Sequence, residues 1–170
     1  MLLALRDGTR ALIRPIRADD KPLIADGLRR LSPATVYRRF LGAKPYLSDA
    51  ELRYLTEVDG RDHIALVAVD ADEPSVLMGV ARCVRLPDRP DTAEMAIVVG
   101  DEWQGLGLGH VLAETLAQAA ARAGIRRFAA VVLADNVQAR HLLADLLDEL
   151  QVGVPSGGVT ELVGELRAPG

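Results

Sequence analysis

Short apolar stretches, separated by turn-forming residues, occupy much of this 170-residue chain. Three of them, residues 64–70, 76–86 and 92–99, follow one another with Pro, Asp and Ser between them, which is typical of an antiparallel meander. Residues 128–133 are apolar enough to predict a buried strand. The strands predicted outside the meander are residues 9–17, 128–133 and 160–167.

Apolar residues at helical spacing mark most segments between these strands. The longest helix is predicted from His110, and its pattern ends at Gly124, a residue type that commonly ends helices. The sequence predicts one domain, residues 1–170, with a mixed, mainly antiparallel α/β (α+β) sheet and helices on both faces. The other helices are predicted after Asp19–Asp20, from Ser32–Pro33 through Phe40, from Ser48 with its capping partner Glu51 through Leu55, and over Val137–Leu147, with a flexible link at 152–158.

Composition narrows the class of protein. The chain is 49% hydrophobic and 26% charged, as ordinary soluble globular proteins are. Its apolar runs are far shorter than the roughly 20 residues that span a bilayer, and the N-terminus lacks the features of a signal peptide, so no membrane association and a cytoplasmic location are expected. The net charge of −4 argues against a nucleic-acid-binding surface. The single cysteine, Cys83, lies in an apolar strand pattern and is interpreted as a buried hydrophobic residue.

A glycine-rich run, Gln104-Gly105-Leu106-Gly107-Leu108-Gly109, lies between a predicted strand and the longest helix. Glycines let backbone N–H groups turn inward, and the helix N-terminus adds further donors, so the run predicts a phosphate site. Gly109 is not followed by the Lys-Ser or Lys-Thr pair of a nucleotide triphosphatase loop. The glycine spacing also differs from the dinucleotide-binding fingerprint. From the run alone, a connection without a ligand stays open.

Gln104, Gly107 and Gly109 fit the pattern Gln or Arg, two residues, Gly, one residue, Gly or Ala. The pattern resembles the acetyl-coenzyme A loop of the GNAT superfamily of N-acetyltransferases, and residues 133–139 resemble the second signature of that family. The N-terminal half resembles the acetyltransferase domain of bacterial protein lysine acetyltransferases, which extends the resemblance from about Leu3 to Leu166. The motifs of that half are Leu5–Thr9, Ile13–Arg17, Leu31–Pro33, Tyr37–Phe40 and Leu47–Leu52.

The resemblance implies a site for acetyl-coenzyme A. Asn136 would contact the coenzyme arm; its residue type also suits the N-cap of the helix that follows, and the two roles are compatible. The end of the third meander strand would pair with the pantetheine arm, and an N–H there would polarise the thioester carbonyl. The implied residues are Ile97, Val98 and Val99 for the arm, and Gln104, Gly105, Leu106, Gly107, Leu108, Gly109 and the adjacent His110 for the pyrophosphate.

Acetyl transfer to an amine requires a neutral nitrogen, so an ammonium substrate must lose a proton to a general base. Glu94 lies near the start of the strand that leads to the loop, among Ala93, Met95 and Ala96. On position alone, a solvated glutamate at a strand edge is an equally good interpretation. The resemblance favours catalysis, because lysine acetyltransferases of this group use a glutamate at the matching position.

One feature departs from the family pattern. Many GNAT enzymes have a tyrosine that protonates the leaving thiolate; Leu143 occupies that place here, and no tyrosine follows Tyr54. We therefore predict that water supplies this proton, because His141 is better interpreted as an exposed helix residue. His63 has no partner that the sequence identifies. The histidines and acidic residues show no metal-ligand spacing, so no metal is expected.

Together these features predict an acetyl-coenzyme A-dependent N-acetyltransferase that transfers the acetyl group directly, in a ternary complex. The favoured acceptor is a protein lysine side chain, and a small-molecule amine is the alternative. A non-catalytic domain that only binds acetyl-coenzyme A is a further alternative, because the tyrosine is missing. Glu94 argues against that alternative.

Overall fold

The computed structural model describes residues 1–167. Short 3-10 turns precede α1, at Ala18–Asp20, and follow β5, at Asp101–Trp103. The strands and helices, in chain order, are β1 (Leu2–Ala4), β2 (Arg10–Pro15), α1 (Lys21–Arg29), α2 (Pro33–Phe40), α3 (Asp49–Thr56), β3 (His63–Asp70), β4 (Leu77–Leu86), β5 (Arg89–Val99), α4 (Leu108–Arg122), β6 (Arg127–Leu133), α5 (Val137–Leu146), β7 (Leu147–Val152) and β8 (Val159–Leu166).

The strands form one sheet in the order β1-β2-β3-β4-β5-β6-β8-β7. Neighbouring strands are antiparallel except β5 and β6, which are parallel. The predicted meander is β3, β4 and β5, and the mixed, mainly antiparallel sheet predicted from the sequence is confirmed. The single parallel pair is the point at which the chain must cross over through α4 to reach β6.

Helices cover both faces of the sheet, as predicted. On one face, α4 and α5 bury residues such as Leu112 and Leu143 against Phe128 of β6. On the other face, α1 packs Ile24 against Val67 of β3, with side chains of α3 at the margin of the same cluster. Alternation along each strand supplies both clusters, because successive side chains point to opposite faces.

The side chains at the starts of α3 and α1 form different contacts. Ser48 and Glu51 form the predicted capping box: the Ser48 hydroxyl accepts from Glu51 N–H at 3.2 Å, and Glu51 accepts from Ser48 N–H at 2.8 Å. The predicted cap of α1 is confirmed in position, since Asp20 is its N-cap residue, but the Asp20 side chain makes no cap hydrogen bond with this helix. The Asp20 carboxylate instead accepts from both terminal nitrogens of Arg14, at 2.7 and 2.8 Å, which joins the helix start to β2.

Strands β1 and β7 are absent from the sequence-based prediction. Strand β1 has three residues, too few for a periodic signal. Strand β7 begins at Leu147, where a helix was predicted to end, and its pairing with β8 is irregular between Asp148 and Gln151. Glu149 adopts a positive φ of 50° at this irregularity, so the strand bulges and loses the alternation by which strands are recognised.

Two further features of the chain follow from burial and helix length. Cys83 is fully buried, and burial raises the pKa of its thiol to about 12, which confirms its interpretation as a packing residue. Among residues 1–167, no helix is both long enough and apolar enough to cross a membrane.

Candidate active site

Strands β5 and β6 diverge at Glu94. Their parallel pairing joins Thr92, Ala93 and Glu94 to residues 127–129 and then stops. Both strands continue, β5 to Val99 and β6 to Leu133, so their facing edges have no strand partner within the described chain. Backbone groups that face the wedge between the strands, apart from the Val99 carbonyl, are therefore available to bind a ligand.

A groove of about 650 Å³ occupies this wedge, between residues 95–99 of β5 and residues 130–132 of β6. Leu106 and Leu108 do not line it, because Leu108 is fully buried and Leu106 packs against the core. These two residues could contact a ligand only through their backbone groups. The predicted coenzyme residues that line the groove are Ile97, Val98, Val99, Gln104, Gly105, Gly107, Gly109, His110 and Asn136.

The glycine-rich loop has the geometry of an anion site. Gly105 and Gly107 have φ values of +75° and +92°, which glycine adopts without strain. Within the described chain, the six consecutive backbone N–H groups of residues 105–110 donate no hydrogen bond. Because α4 begins at Leu108 rather than at the predicted His110, three of these groups belong to its first turn, where the helix dipole also attracts negative charge.

Side-chain hydrogen bonds fix the start of this loop. The Gln104 amide nitrogen donates to the Val99 carbonyl at 3.0 Å and to the Thr35 hydroxyl at 3.2 Å. The Asp101 carboxylate accepts from the hydroxyls of Ser32 and Thr35, at 2.7 and 2.8 Å, and the Ser32 hydrogen bond lowers the pKa of this carboxyl. Gln104 thus braces the loop against β5 and α2, while its contact with the coenzyme stays a prediction.

Basic side chains that the sequence did not single out line the same groove. Arg6, Arg38 and Arg39 do so, and Asp145 is the one acidic residue among the described lining residues. Arg6 lies beside the loop, since a Cβ placed on Gly107 would be 3.9 Å from its Nε atom. The groove therefore carries local positive charge in a protein of net charge −4, which suits a polyphosphate. Arg6 arrives through the β1–β2 turn, far from the loop in sequence.

Helix α5 forms the remaining wall. The Asn136 side-chain oxygen accepts from Ala139 N–H at 3.1 Å, so its predicted N-cap role is confirmed, and its amide nitrogen donates to no described residue. Leu143 and the exposed His141 also line the groove. No tyrosine is among the lining residues within 1–167.

Glu94 is the last residue of β5 that pairs with β6, so it lies at the closed end of the wedge. Strand alternation directs its side chain to the face that carries α1, opposite the buried Ala93 and Met95, and it is exposed there. Its charge acts on Arg39 of α2: burial lowers the pKa of Arg39, and the nearby Glu94 carboxylate partly restores it. Glu94 therefore faces an accessible surface on the side of the sheet away from α4.

A second cavity, of about 120 Å³, opens on that same face. Part of its wall is formed by aliphatic side chains of α1 and β4, such as Ile24, Leu28, Leu77 and Val80. Arg39, Val98 and Trp103 line both this cavity and the groove, so the two spaces meet at the end of β5.

No partner for His63 is apparent from the sequence, but the structure provides two. Arg82, 6% exposed, approaches His63 Nε2 with Nη1 at 3.0 Å and donates to the Leu55 carbonyl at 3.1 Å. The ring of Tyr54 lies 5.0 Å from the His63 ring, centroid to centroid. Burial, together with the Arg82 charge, lowers the pKa of His63 to about 4, so its neutral ring accepts the hydrogen bond from Arg82.

This pKa predicts a loss of stability in mild acid. Between pH 6.5 and 4.5 the unfolded histidine takes up a proton that folded His63 does not, so the free energy of unfolding should fall as the pH falls. Glu51 and Asp59, whose carboxyl pKa values are lowered, change the free energy of unfolding mainly below this pH range, where unfolded carboxylates take up protons. Urea denaturation should show the slope in the parent and in His141→Gln, and a smaller slope in His63→Gln. An equal slope in all three would contradict this assignment.

Comparisons with known proteins agree with this geometry. A family model described as acetyltransferase (GNAT) family matches residues 34–147. An acetyltransferase of Pseudomonas aeruginosa, PA5475, is 35% identical over 144 residues, which cover 84% of this chain and 77% of that protein. Acetyltransferase Pat of Mycolicibacterium smegmatis is 36% identical over 140 residues, 82% of this chain, and the chain spans only 41% of that relative.

The fold also has a close counterpart among solved structures. The crystal structure of the GNAT domain of S. lividans PAT superimposes with a TM-score of 0.86 at 30% identity, and the match covers 98% of this chain and 96% of that one. Residues 1–167 contain no group of three His, Cys, Asp or Glu side chains that could hold a metal ion. The chain belongs to the GNAT family and is an acetyltransferase, of a family that uses acetyl-coenzyme A.

Proposed function

We propose that this protein transfers the acetyl group of acetyl-coenzyme A directly to a protein lysine side chain, in a ternary complex. The observation that carries the proposal is the end of β5–β6 pairing at Glu94, with the anion-binding loop beyond the other end of the open edge. From Glu94 to Val99 a strand extends roughly 17 Å, which suits an extended pantetheine arm. The thioester would then lie near Glu94 while the pyrophosphate rests on the loop.

The free edge of β5 would bind the arm as an added strand does. Amide groups of pantetheine can pair with those N–H and C=O groups of the Ile97–Val99 segment that face the wedge, apart from the Val99 carbonyl, which accepts from Gln104. The N–H groups of the loop and of the first turn of α4 would hold the pyrophosphate, with Arg6 beside them. The amide nitrogen of Asn136 is left to contact the arm from the opposite wall.

The proposed chemistry assigns the base to Glu94. Its carboxylate takes a proton from the lysine ammonium, directly or through water, and the neutral nitrogen attacks the thioester carbonyl carbon. A backbone N–H of β5 stabilises the oxyanion that forms. As the tetrahedral intermediate collapses, the nitrogen releases its second proton to water, the C–S bond breaks to leave the amide, and the thiolate takes a proton from water.

A protein acceptor is supported by the surface around Glu94. The three tyrosines of the chain are exposed on α2, on α3 and between these helices: Tyr37, Tyr54 and Tyr46 are 50%, 58% and 71% exposed, and both Tyr54 and Glu94 act on Arg39. Exposed tyrosines are frequent in protein interfaces. The cavity on this face, at about 120 Å³, is smaller than the roughly 300 Å³ at which small-molecule sites begin. The resemblance to bacterial protein lysine acetyltransferases points to the same acceptor.

The proposal is tested by thiol release from acetyl-coenzyme A. We expect release with a lysine-bearing acceptor protein and background rates with a panel of amino acids and polyamines. Calorimetry on the same preparation should show that the coenzyme binds. Release only with a small amine would identify the alternative substrate class. Binding without release, for every acceptor, would favour the non-catalytic domain.

A further prediction concerns the proton that the departing thiolate takes up. Because Leu143 is buried and no tyrosine lines the groove within residues 1–167, water should supply this proton. His141→Ala and the three Tyr→Phe variants should each keep kcat within a few-fold of the parent, with the alkaline limb of the pH–rate profile intact. A loss of about 100-fold in any variant, with the alkaline limb abolished, would identify that residue as the acid.

A further inference from the structure

Arg39 has an unusual position for a charged residue. It lines both the coenzyme groove and the small cavity, yet its guanidinium forms no hydrogen bond or ion pair with any described residue. The guanidinium lies over the ring of Phe40, with its carbon 4.9 Å from the ring centroid. Burial lowers the pKa of Arg39, which shows that its surroundings disfavour the charge. A desolvated charge without a partner is costly unless a ligand supplies one.

A second guanidinium reinforces the positive charge on this face. In the β4–β5 ladder Arg82 lies opposite Ala96, and Val84 lies opposite Glu94. Arg82 and Glu94 are therefore diagonal neighbours on one face of the sheet. Its hydrogen bonds go to neutral groups, the Leu55 carbonyl and the His63 ring, so they do not offset its charge. Burial lowers the pKa of Arg82, and the charge of Arg39 lowers it further, because the two guanidinium charges repel. Within residues 1–167, Glu94 is the one carboxylate whose charge acts on Arg39.

An acceptor ammonium that reaches Glu94 therefore enters a region of positive charge, with Arg39 near Glu94 and the buried Arg82 behind it. A lysine with basic neighbours, or a polyamine, adds further positive charge and would be repelled. A lysine next to an acidic residue brings its own carboxylate, which a guanidinium binds strongly and with a defined geometry. We propose that Arg39 selects acceptor lysines flanked by Asp or Glu, by pairing with that carboxylate. This inference rests on the proposed function, because it needs a lysine acceptor at Glu94.

The test compares three peptides that differ only beside one acceptor lysine. The flanking residues are Glu in the first peptide, Gln in the second and trimethylated Lys in the third (the Lys peptide), which keeps the positive charge but cannot be acetylated; all termini are blocked. The parent should acetylate the Glu peptide with a kcat/KM about 10-fold or more above that of the Gln peptide, as expected for one charge-assisted hydrogen bond. The Lys peptide should be the poorest acceptor.

Arg39→Gln should bring the Glu and Gln peptides to nearly equal kcat/KM. The ratio of the two peptides within one variant cancels any general loss of activity, and the four values form a double-mutant cycle. Arg29→Gln is the matched control: it removes the same charge from an exposed residue of α1 that pairs with Asp26 outside both cavities. The control should keep the parent's preference.

Three results would overturn the inference. If the parent acetylates the Glu and Gln peptides equally, carboxylate recognition is absent although the proposed function stands. If Arg39→Gln slows both peptides by the same factor and keeps their ratio, Arg39 positions Glu94 instead. If no peptide is acetylated while calorimetry shows coenzyme binding, the lysine acceptor of the proposed function fails, and this inference fails with it.

Discussion

Glu94→Gln should lower kcat about 100-fold, the usual scale for loss of a general base, while acetyl-coenzyme A binds with unchanged affinity. Glutamine keeps the shape of the side chain but cannot take a proton from the acceptor ammonium. The coenzyme contacts proposed above lie on the loop and on the free edge of β5, so they should survive. Steady-state kinetics with a saturating acceptor and calorimetry with the coenzyme measure the two quantities separately.

The pH dependence makes this prediction more specific. A free lysine amine has a pKa of about 10.4, so raising the pH supplies neutral acceptor without a base. The deficit of Glu94→Gln should therefore shrink as the pH rises. Glu161→Gln, an exposed acidic residue of β8, is the control and should match the parent at every pH. Equal turnover of Glu94→Gln and the parent at neutral pH would remove Glu94 from the mechanism.

Gly107→Val should weaken acetyl-coenzyme A binding by about 100-fold, the loss expected when two charge-assisted hydrogen bonds are broken. A Cβ at Gly107 would meet only Arg6 within the described chain, so the folded core should tolerate it. Valine strongly disfavours a φ of +92°, so the loop would change conformation and its N–H groups would no longer converge. Calorimetry measures the affinity, and circular dichroism checks the fold.

Gly124→Val is the matched control for backbone strain. Gly124 lies after the other end of α4, has a φ of +82°, and has no atom within 4 Å of a Cβ placed on it. Its substitution should reduce stability by a similar amount while leaving coenzyme affinity unchanged. An unchanged affinity in Gly107→Val would show that the loop is not the phosphate site.

The parts of this protein that sequence reasoning finds are those with strong local signals. Ser48 with Glu51 encodes a capping box directly, and the apolar runs of β3 to β5, joined by short turns, predict the meander. The loop from Gln104 to Gly109 is recognisable because three glycines recur at every second position within six residues. Strand β7 is missed because a bulge at Glu149 interrupts its alternation.

The rest of the site depends on tertiary contacts that no local pattern encodes. Arg6 reaches the loop only because the β1–β2 turn lies beside it. Arg39 comes near Glu94 only because α2 packs against β5. The His63–Arg82 contact joins adjacent strands through a diagonal on one sheet face, which requires the β3–β4 register. The Asp20 carboxylate likewise accepts from Arg14 of β2 and makes no cap hydrogen bond with α1.

The central claim is that this protein acetylates a lysine side chain with Glu94 as the base. The most direct measurement is tandem mass spectrometry of a lysine-bearing acceptor protein with a blocked N-terminus, after incubation with isotopically labelled acetyl-coenzyme A. We expect labelled acetyl groups on lysine Nε atoms with the parent, and near-background labelling with Glu94→Gln at the same concentration. Labelling by the parent that does not exceed the enzyme-free reaction would contradict the claim, as would equal labelling by the parent and Glu94→Gln.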